Sequence, residues 1–218
     1  MTHPERWVVV PAFQAAATLA DVVTQSRNAA TVLVVDDGST DSTEHVARGA
    51  GAVVVRHVAN QGKGAALRTG IARALADGAT HIATLDADGQ HDPSALPRLF
   101  AALDDTDVVI GAHARGGSAM PVHRRFTNHA SSTALSLIAG VEITDAQSGF
   151  RAFVRRVAEA VRPAGNGYEF ETEFLVLAAR AGFRISSVPV PTIYGAPSHF
   201  RLIKDGAKVV RTIWAFRK

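Results

Sequence analysis

The chain has 218 residues, 47% hydrophobic and 20% charged, with a formal net charge of +3 and no cysteine. That length and balance describe a folded protein able to bury a core unaided. The absence of thiols excludes cysteine catalysis, cysteine-ligated zinc, iron–sulfur clusters and a disulfide framework.

No apolar run reaches the roughly 18 residues of a membrane span. Met1–Arg6 lacks the shape of a secretory signal, so a cytosolic protein is expected. From there the chain alternates. Trp7–Pro11 is an apolar run with three valines, Ala16–Arg27 reads as a helix, and Thr31–Asp36 is a β-branched run ending in acid. Ser42–Gly49 reads as a helix with Ser39, Asp41 and Ser42 as N-cap candidates. Ala52–Arg56 is a third strand, Lys63–Ala76 an Ala-rich helix and His81–Leu85 a fourth strand. Pro93–Leu103 is a helix with proline in its first turn, and Asp107–Gly111 a fifth strand. Near-continuous apolar strands alternating with helices imply an α/β protein whose mostly parallel sheet is covered on both faces.

The second half is less regular. Phe126–Ile138 reads as a helix, Asp145–Phe153 as a turn plus short strand, and Tyr168–Ala181 as a helix with Gly182 past its end. Ile185–Ile193 is extended, and Pro189 and Pro191 confine it to an edge. Leu202–Arg217 is a last helix. Without linker or repeat, one domain over residues 1–218 is expected, with 1–112 as one half and 113–218 as the other.

Charge divides along the same line. Residues 1–112 carry 8 Lys/Arg against 13 Asp/Glu, and residues 113–218 carry 15 against 7. Carboxylates suit a metal, and a basic half suits phosphate or an anionic membrane surface; segregated surface charge is the plain alternative.

Ligands of open parallel sheets bind beyond the carboxyl ends of the strands. Two of the turns there are acidic: Asp36-Asp37-Gly38-Ser39-Thr40-Asp41 and Asp86-Ala87-Asp88-Gly89-Gln90-His91-Asp92. If the second is extended, Asp86, Asp88 and Gln90 project to one side and offer oxygen donors to Mg²⁺ or Mn²⁺. The plain alternative is an Asx turn capping the Pro93 helix. Asn60-Gln61-Gly62-Lys63-Gly64 opens a helix and has the makings of an anion site. It fits neither the Walker loop nor GxGxxG.

Together these turns resemble the family 2 glycosyltransferases of the GT-A fold, more narrowly the dolichyl-phosphate (polyprenyl-phosphate) mannosyltransferase-like branch. The likeness runs in family order from Val8-Val9-Val10-Pro11-Ala12-Phe13 through Val34–Asp41, Asn60–Gly64 and Asp86–Pro93. It continues through Asp145-Ala146-Gln147-Ser148-Gly149-Phe150-Arg151, Gly167–Glu173, Val188-Pro189-Val190 and Ile193-Tyr194-Gly195.

The resemblance implies that Asp86, Asp88 and Gln90 hold the cation at the donor diphosphate, with Asp88 central. Pro11, Phe13, Asp36, Asp37, Lys63, Asp86 and Ala87 would line the donor site, and Asp145 and Gln147 would be the polar members of the reacting segment. Arg151 and Glu171 would shape the acceptor side. Phe13 stands where the family has tyrosine, and Gly111-Ala112-His113 where it often has Gly-Ser-Arg, so an acceptor-binding arginine would come from Arg115, Arg124 or Arg125.

The expected reaction moves a sugar, with inversion, from a GDP- or UDP-linked donor to an acceptor. A polyprenyl phosphate arrives ionised; a hydroxyl acceptor needs a base, for which Asp145 is the candidate. Lys204, Lys208, Arg211 and Lys218 share one face of the last helix, with Leu202, Val209, Val210, Ile213 and Trp214 largely opposite. That pattern fits a peripheral anchor on the cytoplasmic membrane face, or else a helix packed on its own domain. The rivals are a transferase acting on a soluble or glycan hydroxyl, a nucleotidyltransferase, and a non-catalytic nucleotide or lipid-headgroup binder. Nucleic-acid binding ranks last, because no aromatic stacking surface interleaves the basic residues.

Overall fold

The computed structural model describes residues 5–113 and 148–191, with Ser136, Ile143 and Asp145. The first stretch alternates as the apolar pattern implies: β1 (Arg6–Ala12), α1 (Leu19–Ser26), β2 (Thr31–Asp36), α2 (Thr43–Gly49), β3 (Val53–Arg56), α3 (Lys63–Ala76) and β4 (His81–Thr84). A 3-10 turn (Pro93–Ala95) runs into α4 (Leu96–Ala102), followed by β5 (Val108–His113). The second stretch holds β6 (Arg151–Val154), α5 (Arg155–Ala160), α6 (Glu169–Arg180) and β7 (Ile185–Val190). The expected helices Phe126–Ile138 and Leu202–Arg217 lie outside the described residues, as does Ile193.

The strands form one sheet in the order β3-β2-β1-β4-β6-β5-β7. All neighbours run parallel except β6, which is antiparallel to both β4 and β5. Along β1, Val8 and Val10 pack toward α1, α2 and α4, while Trp7 and Val9 pack toward α3, α5 and α6. Both faces are covered, so period-2 polarity has no place in the strand and its valines are fully buried. β7 is an edge strand, where Pro189 leaves no central ladder bond unmade.

Helix α5 opens on two arginines that tie it to its neighbours while remaining partly exposed. Arg155 Nη1 donates to the carbonyls of Leu75 (3.3 Å) and Ala79 (3.1 Å), and Arg156 pairs with the buried Asp107.

The register of β6 matters most for the site. Arg151 pairs with Thr84 on one side and Ile110 on the other. An antiparallel strand therefore begins where its parallel neighbours end. This lays residues 148–151 beside the acidic turn after β4, with Thr84 Oγ1 donating to the Gly149 carbonyl at 2.8 Å.

Candidate active site

β1, β2 and β4 run parallel and so end at one edge of the sheet. The turns beyond them are bound together. Gln14, at φ 52°, donates its backbone N–H to Ser39 Oγ (3.0 Å) and its side-chain amide to Thr40 Oγ1 (2.8 Å). Thr18 Oγ1 donates to the carbonyl of the buried Ala87 at 2.6 Å. Pro11 lies opposite Val35, one residue before the β1 ladder ends at Ala12, and the Phe13 ring, 43% exposed, stands open to solvent.

Asp36 and Asp37 are both buried. Asp36 Oδ1 accepts from the Ser39 N–H at 2.9 Å, and its Oδ2 lies 3.6 Å from Arg56 Nη1. Asp37 accepts from the Gln61 N–H (3.0 Å), the Gly62 N–H (2.8 Å) and the His57 ring (2.6 Å). Neither carboxylate faces open space, as a pocket wall would.

Three amides of the Asn60–Gly64 segment at the start of α3 already have partners: those of Gln61 and Gly62 bond the Asp37 carboxylate, and that of Gly64 bonds the Asn166 carbonyl at 2.7 Å. The anion at this helix N-terminus is the protein's own. Gly62 makes the approach feasible, since at φ 99° any Cβ would be driven into the Asn166 carbonyl.

The acidic turn after β4 is not extended. It curls through Ala87–Gly89, with Gly89 at φ 72° and Asp88 Oδ1 accepting from the Gln90 N–H at 3.0 Å. Extended backbone therefore does not place Asp86, Asp88 and Gln90 on one side. A separate Asx turn at Asp92, accepting from the Ser94 N–H at 2.8 Å, caps the Pro93 helix. His91 is buried against Phe150.

Asp86 anchors a charge cluster. Its Oδ1 lies 2.7 Å from Lys63 Nζ, which also lies 2.7 Å from Glu171 Oε1 and sits over the Tyr168 ring. Arg151, buried, donates from Nε to the Ser148 carbonyl (2.8 Å) and from Nη1 to the Glu171 carbonyl (2.6 Å). Asp145 is buried too, and its charge acts on Arg151. Gly149 lets this cluster close: a Cβ there would stand 2.5 Å from Asp86 Oδ2.

Burial alone would raise the Asp86 carboxyl, but Lys63, His91 and Arg151 hold it below the usual carboxylate range. Lys63 is raised, because Asp86 and Glu171 outweigh its desolvation. Burial lowers the Arg151 guanidinium to about 10, against the pull of Glu171, Asp145 and Asp86. A carboxylate with a lowered folded pKa stabilises the fold above its unfolded value and loses that contribution as pH falls through the folded one. Urea unfolding followed from pH 7 downward should therefore show wild-type stability falling more steeply below about pH 4 than that of Asp86→Asn. Parallel curves would contradict the pairing.

Asp86 and Asp88 are hard oxygen donors, as Gln90 is through its amide, and this set suits Mg²⁺ or Mn²⁺. Among the described residues, no three His, Asp or Glu side chains form a ready cage. Of the other sequence candidates, Gln147, Arg115, Arg124 and Arg125 lie outside the described residues. Lys63, Asp86, Arg151 and Glu171 come together. Sequence reasoning missed Gly149, Tyr168 and His57; the only signal for the first two was their place inside the family-like segments.

A family model described as glycosyl transferase family 2 matches residues 7–162. The chain belongs to that family. Among the relatives of this family 2 glycosyltransferase is the undecaprenyl-phosphate mannosyltransferase of Micrococcus luteus, 32% identical over 73% of this chain and 70% of that one. The polyprenol monophosphomannose synthase of Mycolicibacterium smegmatis is 30% identical over 84% and 75%. A UDP-N-acetylglucosamine–dolichyl-phosphate N-acetylglucosaminyltransferase of Methanococcus voltae is 28% identical over 86% and 85%. Among solved structures, glucosyl-3-phosphoglycerate synthase of Mycobacterium tuberculosis, crystallised with Mn²⁺, UDP and phosphoglyceric acid, matches 98% of this chain and 78% of its own at TM-score 0.80 and 23% identity. That likeness shows the fold, a GT-A sheet flanked by helices.

Proposed function

We propose that this family 2 glycosyltransferase moves a hexose from a GDP- or UDP-linked donor to a polyprenyl phosphate, with inversion at the sugar carbon. Residues 1–112 serve the donor and residues 113–218 the acceptor. In this reading Phe13 stacks on the base, and Asp36 and Asp37 support the donor turn from beneath. Asp86, Asp88 and Gln90 would hold Mg²⁺ or Mn²⁺, which supplies Lewis-acid charge for the departing diphosphate. Lys63 fixes the Asp86 carboxylate, and Arg151 and Glu171 shape the acceptor side. The acceptor oxygen forms its bond to the sugar carbon as the bond to the nucleoside diphosphate breaks, and the diphosphate leaves with the electron pair.

One observation carries the choice of an ionised acceptor. The buried carboxylates on that side already face cations: Glu171 is held by Lys63 at 2.7 Å, and Asp145 acts on Arg151. A carboxylate already engaged by a cation is poorly placed to take a proton from an acceptor hydroxyl. A phosphate oxygen that arrives ionised needs none. The relatives named for polyprenyl- and dolichyl-phosphate chemistry support the same acceptor. No helix among the described residues is long and apolar enough to cross a membrane. The basic second half supports peripheral contact with the cytoplasmic membrane face.

The test incubates the full chain with radiolabelled GDP-mannose or UDP-hexoses and undecaprenyl phosphate in detergent. Metal-dependent label in the organic phase is expected, and none with the unphosphorylated polyprenol. Equal labelling of the polyprenol would favour a hydroxyl acceptor, and no transfer from any donor would contradict the reading.

A further inference from the structure

We infer that His57 is a positioning residue for the donor site: its ring holds the Asp37 carboxylate under the Gln61–Gly62 turn and so fixes where Lys63 meets Asp86. His57 lies one residue past β3, its backbone N–H donating to the Asp36 carbonyl at 2.9 Å. The ring is buried and bonded at both nitrogens: Nδ1 lies 2.6 Å from Asp37 Oδ1, and Nε2 3.0 Å from Thr69 Oγ1 on α3.

An ionised carboxylate only accepts, so Nδ1 carries the proton. Nε2 then accepts the Thr69 hydroxyl proton in the neutral ring, or donates to that oxygen in the charged one. Either way the ring ties the body of α3 to the acid at its N-terminus. Asp37 gathers donors from two places, the His57 ring and the consecutive N–H groups of Gln61 and Gly62. Such charge-assisted bonds are the strong ones.

The residue that follows this turn is Lys63, whose Nζ reaches both Asp86 and Glu171 at 2.7 Å. Losing the ring's bond frees the Asp37 carboxylate to rotate, releases two turn amides, and moves the backbone from which Lys63 reaches out. Sequence reading assigned Asp37 to the pocket and gave His57 no task. The geometry makes them a pair acting from behind the site. The effect on catalysis rests on the donor-site reading above; the effect on the turn does not.

The experiment compares wild type, His57→Asn and His57→Gln as full-length chains. The Asn amide takes the place of Nδ1, whereas the Gln amide reaches toward the place of Nε2. Two quantities are read: hydrogen exchange at the Gln61 and Gly62 amides by NMR, and the split between donor KM and kcat. In His57→Gln, exchange at those amides should quicken and donor KM rise, each about tenfold as expected for one such bond, with kcat nearly unchanged. His57→Asn should stay near wild type in both. If Gln behaves like wild type, or Asn falls as far as Gln, the inference is overturned. If the wild type transfers no sugar, the functional reading fails, while the exchange comparison still judges His57.

Discussion

Asp88→Asn should lower kcat/KM for sugar transfer by about 10²–10³-fold, the usual effect of removing one group that stabilises developing charge. Asp88 sits half-buried at the tip of the turn after β4, where its Oδ1 accepts from the Gln90 N–H at 3.0 Å. Asparagine keeps that acceptor and removes the charge, so the turn survives and only the charge is tested. The thermal melting curve should barely move. Asp92 offers a matched control four residues on. It makes the same kind of turn, with its Oδ1 2.8 Å from the Ser94 N–H, and Asp92→Asn, which keeps this capping acceptor outside the proposed ligand set, should stay within about threefold of wild type. If both changes cost the same, turn geometry rather than a ligand role explains the effect.

Lys63→Met should lower unfolding free energy by about 3–5 kcal/mol, because it strands buried charge. Lys63 is the shared partner of Asp86 and Glu171, and Glu171 is only 4% exposed. Methionine keeps an apolar stem and loses the ammonium that sits over the Tyr168 ring. Adding Glu171→Gln should recover part of the loss, since residues in one charge network couple. Urea unfolding of the two single variants and the double variant measures this. A Lys63→Met loss under about 1 kcal/mol, the range of an exposed pair, would mean the cluster is solvated.

Much of this was legible in the sequence. Three valines in β1 and the β-branched run of β2 announce strands buried on both faces. Parallel strands then bring their acidic turns to one edge without further information. What stayed hidden depends on register. Nothing in Arg151–Val154 says that it will lie antiparallel between β4 and β5, yet that placement sets Gly149 against Asp86 and Arg151 beside Thr84. Lys63 was noticed for the glycines around it, but its partners are 23 and 108 residues away along the chain. The family resemblance put Asp37 in the donor site. Only the structure shows three donors already upon it. The acidic turn misled in one respect: Gly89 permits a left-handed backbone, and that curls a segment whose alternating acids suggested extension.

The most direct test of the central claim is calorimetric titration of GDP and of UDP, each with and without Mn²⁺, into wild type and Asp88→Ala. One nucleotide should bind wild type only when Mn²⁺ is present, and that binding should be lost in the variant. GDP would point to mannose transfer, and UDP to a UDP-hexose donor. Binding of neither nucleotide, or equal binding with and without Mn²⁺ in both proteins, would contradict a metal-dependent donor site at Asp86–Gln90.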